Sequence, residues 1–433
     1  TPKDYRTAPD FTISVTKDSS EYNELEQVKL VSVNNKPFAS YVKLVKVDED
    51  TGKKVTLNSA SFKIKDAQGS YVVQKVSGIK VDTFTTNSDN EIIPVVEKGT
   101  VTLPLMLNAG TYTIEEIKTP KGFLDLEKPV EFVISSTYDY DVDEDADPIV
   151  EVKIRNKQPK GEIKLNKTVM DLDTDTDLID RSDLSKIQFV LKAKEDIYSS
   201  IDGSLMFEKD SVITTENSGA IVNTGSEIGN GLYALSMDGH LDISNLPMST
   251  KGASYYLQEV KTLDGCVLDT AKYDAVFKQS DFTTKNYIKS FDVENKTTDF
   301  EFNKTDVTGD KEVEGAQLTI TDEDGNVVDQ WTSTDKVHSI EGLVVGKTYT
   351  LSETVTAKDY VKATDIKFTV KNSSELETVT MKDKQVFVSK TTVGGEEVTG
   401  AHMQIIDEDG NIIDEWYSEG KSHIANGLEE GKT

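Results

Sequence analysis

Lysine residues stand in this chain at positions where the alternation of a β-strand calls for a buried apolar side chain. Neighbouring side chains of a strand point to opposite faces of its sheet, so residues two apart share a face. Because an unpaired ammonium group is costly to bury, a repeated pattern of this kind predicts a specific chemical role for the lysines. Four segments have the pattern: Val42, Leu44 and Lys46; Ile163, Leu165 and Lys167; Phe300, Phe302 and Lys304; and Val386, Val388 and Lys390.

Acidic and amide side chains recur on apolar strand faces in the same way. Three faces end in a glutamate: Tyr112, Ile114 and Glu116; Tyr255, Leu257 and Glu259; and Tyr349, Leu351 and Glu353. Four others end in an amide or a carboxyl group: Val31, Val33 and Asn35; Val152, Ile154 and Asn156; Phe291, Val293 and Asn295; and Val379, Met381 and Asp383. Glu115 is the neighbour of Glu116, but its place in the alternation points it outward. This recurring set leads us to expect a covalent lysine–amide crosslink, made by each domain on itself.

The three residue types of the set can form an isopeptide bond when they are buried together. Lysine has a pKa of roughly 10.4 in water, but burial lowers the pKa of an amine and raises that of a carboxylic acid. A neutral lysine can then attack the carbonyl carbon of the asparagine or aspartate. A protonated glutamate can polarise that carbonyl and pass protons to the leaving ammonia or water. The reaction happens once per domain, so we expect self-maturation and no enzymatic turnover.

The sequence predicts an all-β fold, with tandem Ig-like β-sandwich domains arranged as an elongated rod. Short alternating runs rich in Val, Ile, Thr, Tyr and Phe are separated by turns rich in Gly, Asn and Asp, which is typical of sandwiches. The Asp-Gly-Asn turns at 324–326 and 409–411 predict hairpins. Few residues separate the last reactive position of one domain from the lysine of the next, as between Asn156 and Lys167, which implies closely coupled domains.

Internal repeats set the predicted domain boundaries. Residues 315–348 match residues 400–433, and the chain begins and ends inside repeat units, so we expect an internal segment of a longer protein. Neither terminal unit contains the strand that would carry the glutamate, so Asn35 and Lys390 are expected to remain unpaired half-sites. The predicted units are the C-terminal half of one domain at 1–38, complete domains at 39–158, 159–298 and 299–384, and the N-terminal half of a further domain at 385–433.

Composition excludes several functional classes. The net charge of -29 opposes binding to nucleic acid or anionic lipid, whose phosphates would be repelled. No apolar stretch is long enough to span a membrane, so we expect no membrane insertion of this segment. Cys266 is the only cysteine, which excludes an intrachain disulfide, and we expect its side chain to be half-buried. We find no pattern for a cofactor, a phosphate loop or a catalytic triad.

Two acidic runs invite a metal interpretation but are predicted to be solvated surface loops. The first run consists of Asp171, Asp173, Asp175 and Asp177. A calcium loop with ligands at this spacing would also need a glycine and a bidentate acid, and both are missing at the required positions. The second run covers residues 138–147. We therefore expect no metal site, and we interpret the repeat-equivalent His338 and His423 as structural residues.

Several short motifs are shared with a known family. They are Lys46-Val47-Asp48, Lys304-Thr305-Asp306, Gly315-Ala316, Tyr349-Thr350-Leu351-Ser352-Glu353 and Thr119-Pro120-Lys121-Gly122-Phe123. With them, nearly the whole chain resembles the Cna protein B-type, or SpaA-like, domains of Gram-positive surface proteins and pilins, most specifically in 299–384. The resemblance implies prealbumin-like sandwiches with isopeptide bonds, in a stalk on the extracellular, cell-wall-anchored surface of a Gram-positive bacterium. By position it implies the sets Lys46–Glu116–Asn156, Lys167–Glu259–Asn295 and Lys304–Glu353–Asp383.

Two turns depart from the family pattern. After Glu259 the chain reads Thr262-Leu263-Asp264-Gly265-Cys266, without the usual proline and aromatic residue, and after Glu353 it reads Lys358-Asp359-Tyr360, without proline or glycine. These departures put the local geometry of the two turns in question, and they leave the reactive residues untouched.

The favoured interpretation is a structural stalk segment of a surface adhesin, whose partners are the neighbouring domains of the same polypeptide and a host surface ligand. Single lysines could instead reach solvent at the rim of a sandwich, or the buried sets could stay unreacted as a hydrogen-bonded network. The chain could also be a pilus subunit polymerised by a sortase. A host glycan or matrix protein could bind to domain 159–298, through its insertion around 195–240. The complementary half-units could also pair between neighbouring chains.

Overall fold

β-Strands make up nearly all of the regular structure, which confirms the predicted all-β fold. The computed structural model describes residues 2–6, 8, 10–14, 22–23, 28–29, 32–88, 92–137 and 147–433. Val31 and most of the second acidic run, at 138–146, lie outside these residues. Within the described part of the chain, no helix has both the length and the apolar character that crossing a membrane requires. Two short strands come first, β1 (Tyr22–Asn23) and β2 (Val28–Lys29), and they pair with each other.

Residues 39–158, called domain 1 below, form two sheets around one core. The strands are β3 (Ala39–Asp48), β4 (Ser61–Lys65), β5 (Gln74–Val76), β6 (Ile79–Val81), β7 (Phe84–Thr85), β8 (Thr100–Thr102), β9 (Leu107–Asn108), β10 (Gly110–Lys118), β11 (Val130–Ile134) and β12 (Ile149–Asn156). One sheet has the order β11-β10-β4-β7 and the other the order β12-β3-β8. Leu44, Ile154, Phe62 and Ile114 meet in the core between the sheets. The strict alternation of buried and exposed residues along β12 explains why one of its faces lies on this core.

Residues 159–298, called domain 2, repeat this arrangement with extra elements. The elements are β13 (Lys160–Val169), β14 (Thr176–Asp177), a 3-10 helix (Leu184–Lys186), β15 (Gln188–Ala193), β16 (Ile197–Tyr198), β17 (Leu205–Phe207), α1 (Thr215–Ser218), β18 (Ile221–Thr224), β19 (Ser226–Gly229), β20 (Leu232–Ala234), β21 (His240–Leu246), β22 (Ala253–Lys261), β23 (Lys272–Phe277) and β24 (Asn286–Asn295). The sheets have the orders β18-β21-β13-β24 and β19-β20-β15-β22-β23, and β16 and β17 form a separate hairpin. Ile163, Leu165, Phe189, Tyr255 and Leu257 belong to the core that they enclose.

Residues 299–384, called domain 3, are the most compact of the three. Their strands are β25 (Asp299–Asp306), β26 (Gln317–Thr321), β27 (Val327–Thr332), β28 (His338–Glu341), β29 (Thr348–Val355), β30 (Ile366–Thr369) and β31 (Glu377–Asp383). One sheet has the order β27-β26-β29-β30, and in the other β28-β25-β31 are neighbours. The predicted hairpin at 324–326 joins β26 to β27.

The C-terminal segment, residues 385–433, contains counterparts of the first strands of domain 3. It has β32 (Phe387–Val388), β33 (Thr399–Ile406), β34 (Ile412–Glu419) and β35 (His423–Ile424). Strand β33 pairs with β34 around the predicted turn at 409–411, and β32 pairs with β35. The segment has no counterpart of β29, β30 or β31.

Consecutive domains contact each other through the turn that follows the glutamate strand. The Asp125 amide of domain 1 donates to the Phe282 carbonyl of domain 2 at 2.8 Å. The Leu268 amide of domain 2 donates to Asn372 Oδ1 of domain 3 at 2.9 Å. A similar bond, from the Asp359 amide to Asn426 Oδ1 at 2.8 Å, joins domain 3 to the C-terminal segment. The same turn therefore serves as the joint at each boundary.

The first acidic run, predicted to be a solvated surface loop, has exposed aspartate side chains, but part of its backbone is paired as a strand. Within it, β14 pairs in parallel with β28 and extends a sheet of domain 3, giving the order β14-β28-β25-β31. Asp175 Oδ2 accepts a hydrogen bond from the Ser339 amide at 2.8 Å. Sequence periodicity carries no signal for such a pairing, because the partner strand belongs to another domain.

Candidate crosslinking sites

The first and last strands of each domain are parallel neighbours, and they carry the lysine and its predicted partner. The pairs are β3 with β12, β13 with β24 and β25 with β31. In each pair the asparagine or aspartate lies opposite the residue two positions beyond the lysine. The opposed residues are Asn156 and Asp48, Asn295 and Val169, and Asp383 and Asp306. Since residues two apart share a face, the lysine and its partner point into the same core.

The glutamate reaches the core from the opposite sheet, just before an irregularity in strand pairing. The opposed residues are Glu116 and Phe62, Glu259 and Phe189, and Glu353 and Leu318. The register shifts beyond the glutamate in all three pairs. A bulge bends a strand and redirects its side chains, so this shared irregularity places the carboxyl group at the same point of each sandwich.

In domain 1 the amide of Asn156 is held between a carboxyl group and a carbonyl. Its Nδ2 donates to Glu116 Oε2 at 2.6 Å and to the Leu124 carbonyl at 2.8 Å. Lys46 is completely buried, and its Nζ donates to the Ile154 carbonyl at 3.2 Å. Burial lowers the pKa of Lys46 from 10.5 to about 8, and burial also raises the pKa of Glu116 above its usual value. Both shifts favour the neutral forms.

In domain 2 a single carboxyl group lies between the amine and the amide. Glu259 Oε2 is 3.0 Å from Lys167 Nζ, although the two are poorly aligned for a hydrogen bond. Glu259 Oε1 accepts a hydrogen bond from Asn295 Nδ2 at 3.0 Å. The side chains of Lys167 and Glu259 are fully buried, and burial raises the pKa of Glu259. One oxygen of the glutamate therefore faces the Lys167 amine and the other faces the Asn295 amide nitrogen.

In domain 3 the lysine contacts both carboxyl groups. Lys304 Nζ binds Asp383 Oδ1 directly and lies 3.1 Å from Glu353 Oε1. The Ala363 amide donates to Glu353 Oε2 at 2.8 Å and fixes the orientation of that carboxyl group. Burial raises the pKa of Asp383 from 3.8 to about 6, despite the opposing effect of Lys304. An uncharged Asp383 is the form that an amine can attack.

These sets are incompletely satisfied as hydrogen-bonded networks. A buried polar atom without a partner costs about 1–3 kcal/mol, so a purely structural network would be expected to pair its members. The buried atoms without a hydrogen-bond partner include Glu116 Oε1, Asn156 Oδ1, Lys167 Nζ, Glu259 Oε2, Asn295 Oδ1, Glu353 Oε1 and Asp383 Oδ2.

The turn after each glutamate keeps one backbone conformation in spite of its sequence departures. Gly122 has φ +87° and Gly265 has φ +83°, in the left-handed region that glycine adopts readily. At the equivalent position of domain 3, Asp359 has φ 72°, and aspartate is one of the few other residues that tolerate this region. The geometry that the sequence put in question is therefore preserved.

Threonine residues also contact the candidate sites, and the sequence reasoning missed them. Thr119 Oγ1 donates to Glu116 Oε2 at 3.2 Å, and Thr262 Oγ1 accepts from Asn295 Nδ2 at 2.5 Å. Each threonine lies three residues after the glutamate, so the repeated Glu-x-x-Thr spacing was a usable signal.

Among the described residues, the predicted half-sites Asn35 and Lys390 are not part of a buried cluster of lysine, glutamate and asparagine or aspartate. Asn35 is half-buried in a segment without regular structure, and Lys390 is exposed. Val386, predicted to share an inward face with Lys390, is 38% exposed, so the inward-facing interpretation of this strand is wrong for the described segment. Glu115 points away from the core, as predicted, and its Oε1 is 2.6 Å from Lys65 Nζ.

Cys266 is buried rather than half-buried, as a member of the domain 2 core. Burial raises the pKa of its thiol to about 11. Cys266 follows Gly265 in the joint turn, at the position that Phe123 occupies after Gly122 in domain 1. We expected an aromatic position there, and the smaller thiol fills it inside the core.

Three carboxylates at the joint of domains 2 and 3 come close enough to hold a cation, namely Asp171, Asp177 and Glu341. The Arg181 guanidinium already lies among them, 2.5 Å from Asp177 and 2.8 Å from the fully buried carboxylate of Glu341. Arg181 therefore supplies the positive charge that this cluster requires.

Comparisons with known proteins were made for both sequence and structure. The family described as SpaA, prealbumin-like fold domain, matches residues 40–158 and 298–385. A comparison with curated protein sequences gave no match.

Several of the solved structures that are similar to this chain come from Gram-positive bacteria. The TIE protein of Bacillus anthracis is 18% identical, with a TM-score of 0.45, and the alignment covers 81% of this chain and 52% of that one. This chain thus spans about half the length of that protein. BcpA, the major pilin subunit of Bacillus cereus, is 15% identical over 80% of this chain and 99% of its own, with a TM-score of 0.36. The major pilin SpaD of Corynebacterium diphtheriae is 16% identical over 80% and 98%, with a TM-score of 0.24.

Domain 2 repeats the strand topology of its two neighbours, with parallel first and last strands and a glutamate on the opposite sheet. The family assignment itself comes from the sequence match, which covers domains 1 and 3. Domains 1 and 3 of this chain are therefore members of the SpaA prealbumin-like domain family.

Proposed function

We propose that this chain is a stalk segment of a Gram-positive cell-surface protein, and that its domains lock themselves with lysine–asparagine and lysine–aspartate isopeptide bonds. The observation that carries the proposal is the position of Glu259, 3.0 Å from Lys167 Nζ through one oxygen and 3.0 Å from Asn295 Nδ2 through the other. A carboxyl group in this position can pass a proton from the attacking amine to the leaving nitrogen.

Each reaction is a condensation that needs no further reactant. In domains 1 and 2, a bond forms between lysine Nζ and asparagine Cγ, the bond from Cγ to Nδ2 breaks, and ammonia leaves with a proton from the amine. In domain 3, the bond forms between Lys304 Nζ and Cγ of the uncharged Asp383, the bond from Cγ to the protonated Oδ breaks, and that hydroxyl leaves as water with a proton from the amine. Holding the groups in contact supplies an effective molarity worth roughly 7–11 kcal/mol in well-oriented cases.

The proposed bonds suit a protein that is pulled from its ends. Tension that entered domain 1 at Ala39 would pass along β3 to Lys46, cross to Asn156 and leave at the end of β12. The strands between them would carry none of it. Forced unfolding is governed by an unfolding rate, and a covalent bond across the first and last strands closes that route.

The intact mass of the purified chain tests the proposal. We expect it to fall short of the sequence mass by two ammonia molecules and one water. Substitution Glu353→Ala should restore the water and lower resistance to heat and protease. It removes a crosslink that spans about 80 residues, and such a crosslink is worth about 4 kcal/mol in the chain-entropy model.

Matched substitutions in domain 1 sharpen the mass experiment. Glu116→Ala should restore one ammonia, whereas Glu115→Ala, at the neighbouring outward-facing position, should leave the mass deficit unchanged. A wild-type mass equal to that of the sequence would overturn the proposal.

A second candidate, a sortase-polymerised pilus subunit, shares the same internal bonds. It is the alternative that the sequence analysis left open. Detergent-resistant ladders of the native protein on its cell surface would favour a pilus, and a single band would favour a monomeric surface protein.

A further inference from the structure

The candidate site of domain 1 is walled by a short segment of the turn after its glutamate, residues 122–125. The ring of Phe123 lies 5.5 Å from Lys46 Nζ and is completely buried. The next carbonyl, of Leu124, accepts a hydrogen bond from Asn156 Nδ2 at 2.8 Å. This segment therefore covers the amine and orients the amide.

Domain 2 holds that segment in place through side-chain and backbone contacts. Gln279 Oε1 accepts from the Gly122 amide at 3.2 Å, and its Nε2 donates to the Phe123 carbonyl at 3.1 Å. The Asp125 amide bonds to the Phe282 carbonyl at 2.8 Å. Gly122 leaves room for this contact, because a Cβ there would meet Ser200 of domain 2 at 2.2 Å.

The hairpin of β16 and β17, part of the insertion in domain 2, completes the enclosure. Its tip residue Ile201 forms a separate buried cluster with Val55 and Phe123. The Ile201 carbonyl accepts from the Thr56 and Leu57 amides of domain 1 at 2.7 and 3.0 Å. Val55 is itself tied to the reactive strand, because its amide donates to the Lys46 carbonyl at 2.9 Å.

We propose that docking of domain 2 completes the crosslinking site of domain 1, with Ile201, Gln279 and Phe123 as positioning residues, so that the Lys46–Asn156 bond forms once domain 2 has folded against it. This inference rests on the proposed function. Domain 2 takes no part in bond making or breaking; it keeps water from the amine and fixes the segment that orients the leaving amide. Water admitted to the site would favour charged Lys46, which cannot attack.

The experiment follows the formation of both crosslinks in the full chain. Wild-type and variant chains are made by cell-free synthesis, quenched in denaturant at intervals and digested, and the joined Lys46–Asn156 peptides are measured by mass spectrometry. The Lys304–Asp383 crosslink in the same molecules is the internal control. We expect Ile201→Asp to slow the first crosslink about tenfold or more, since a misplacement of about 1 Å can lower a rate a hundredfold, and to leave the second unchanged.

Controls separate positioning from a general loss of structure. Ile228→Asp makes the same change at a position of domain 2 that is 49% exposed and should have no effect. Ile201→Val should restore the wild-type rate. Gln279→Ala is the milder second variant. If Ile201→Asp does not fold, a slower Lys46–Asn156 crosslink in Gln279→Ala supports the inference and a wild-type rate contradicts it. In both slow variants, the pH dependence of the remaining crosslinking rate should shift to higher pH, because a more hydrated Lys46 amine has a higher pKa.

Two outcomes would count against the inference in different ways. Wild-type rates of the first crosslink in both Ile201→Asp and Gln279→Ala would overturn the inference and leave the proposed function standing. Absence of both crosslinks from the wild-type chain would overturn the proposed function and this inference with it.

Discussion

Domain 3 and the C-terminal segment begin with the same strand pattern, yet their lysines lie in opposite environments. Lys304 is 2% exposed and contacts two carboxyl groups, whereas Lys390 is exposed. Phe302, two residues before Lys304, is buried, whereas its counterpart Val388, two residues before Lys390, is only half-buried. The alternating pattern thus permits an inward-facing lysine, and burial requires strands such as β29, β30 and β31, which have no counterpart in the described C-terminal segment.

The two regions nevertheless share their local structure. Trp331 stacks on His338 with ring centres 4.1 Å apart, and Trp416 stacks on His423 at 3.9 Å. Each histidine also bonds to an aspartate of the preceding strand, His338 to Asp329 at 2.7 Å and His423 to Asp414 at 2.8 Å. These contacts therefore join two successive strands that are close in sequence, whereas the environment of the lysine depends on strands far along the chain.

The largest expected effect comes from supplying the missing strands. We expect that extending the chain after Thr433 with a second copy of residues 349–384 will bury Lys390 and crosslink it, because the copy brings the glutamate and aspartate strands into the position they hold in domain 3. The intact mass should then fall short by one additional water, and the segment should gain about 4 kcal/mol of stability.

The matched control for this extension carries alanine at the position of Glu353 in the appended copy. Its mass should show no additional deficit. If Lys390 stayed unmodified in the first variant, the lack of counterparts of β29, β30 and β31 would not explain the difference between the two regions.

A smaller effect concerns the protonation of a buried but unreacted lysine. In Glu116→Gln, Lys46 should remain free, with a pKa lowered by burial from 10.5 to about 8 or less, because the wild-type pKa of about 8 includes the raising effect of the Glu116 charge. The unfolded chain then binds more protons than the folded one between these values, so the stability of domain 1 should rise with pH from about 8 to about 10.5. The full shift corresponds to about 3 kcal/mol. Proteolysis in urea, followed by mass spectrometry of domain 1 peptides, measures it.

The pH dependence should disappear in the double variant Glu116→Gln/Lys46→Met, which has no titrating amine at this position. A rise of equal size in both variants would assign the effect to other groups and would remove Lys46 from the explanation.

The smallest expected effect tests what the two regions share. His338→Ala and His423→Ala should destabilise domain 3 and the C-terminal segment, respectively, by about 1 kcal/mol each, through loss of a ring contact and a hydrogen bond. The loss should be greater at His338, because Asp175 of domain 2 also lies 3.6 Å from its ring. Fluorescence of the adjacent tryptophan follows unfolding, and Asp175→Asn should reduce the difference between the two sites. Equal losses before that substitution would contradict the additional contact.

The all-β fold and the hairpins at the Asp-Gly-Asn turns could be predicted because their signals are local. The places of Lys46 and Lys304 follow from the two-residue period of a strand, and the structure brings both into cores with Glu116 and Glu353. The strand pairing of β14 and the docking of Ile201 could not be predicted, because each depends on contacts between domains that leave no periodic trace. The exposure of Lys390 could not be predicted either, because the pattern of one strand does not show whether the strands that would cover it are present.

The parallel pairing of β14 with β28 has a consequence for how the whole molecule responds to torque. A twist between domains 2 and 3 would have to separate two stretches of backbone and withdraw Arg181 from the buried carboxylate of Glu341. The joint between domains 1 and 2 has no shared sheet among the described residues. A rod built in this way should twist more easily between domains 1 and 2 than between domains 2 and 3. The orientation of domain 1 about the rod axis should therefore vary more than that of domain 2 relative to domain 3.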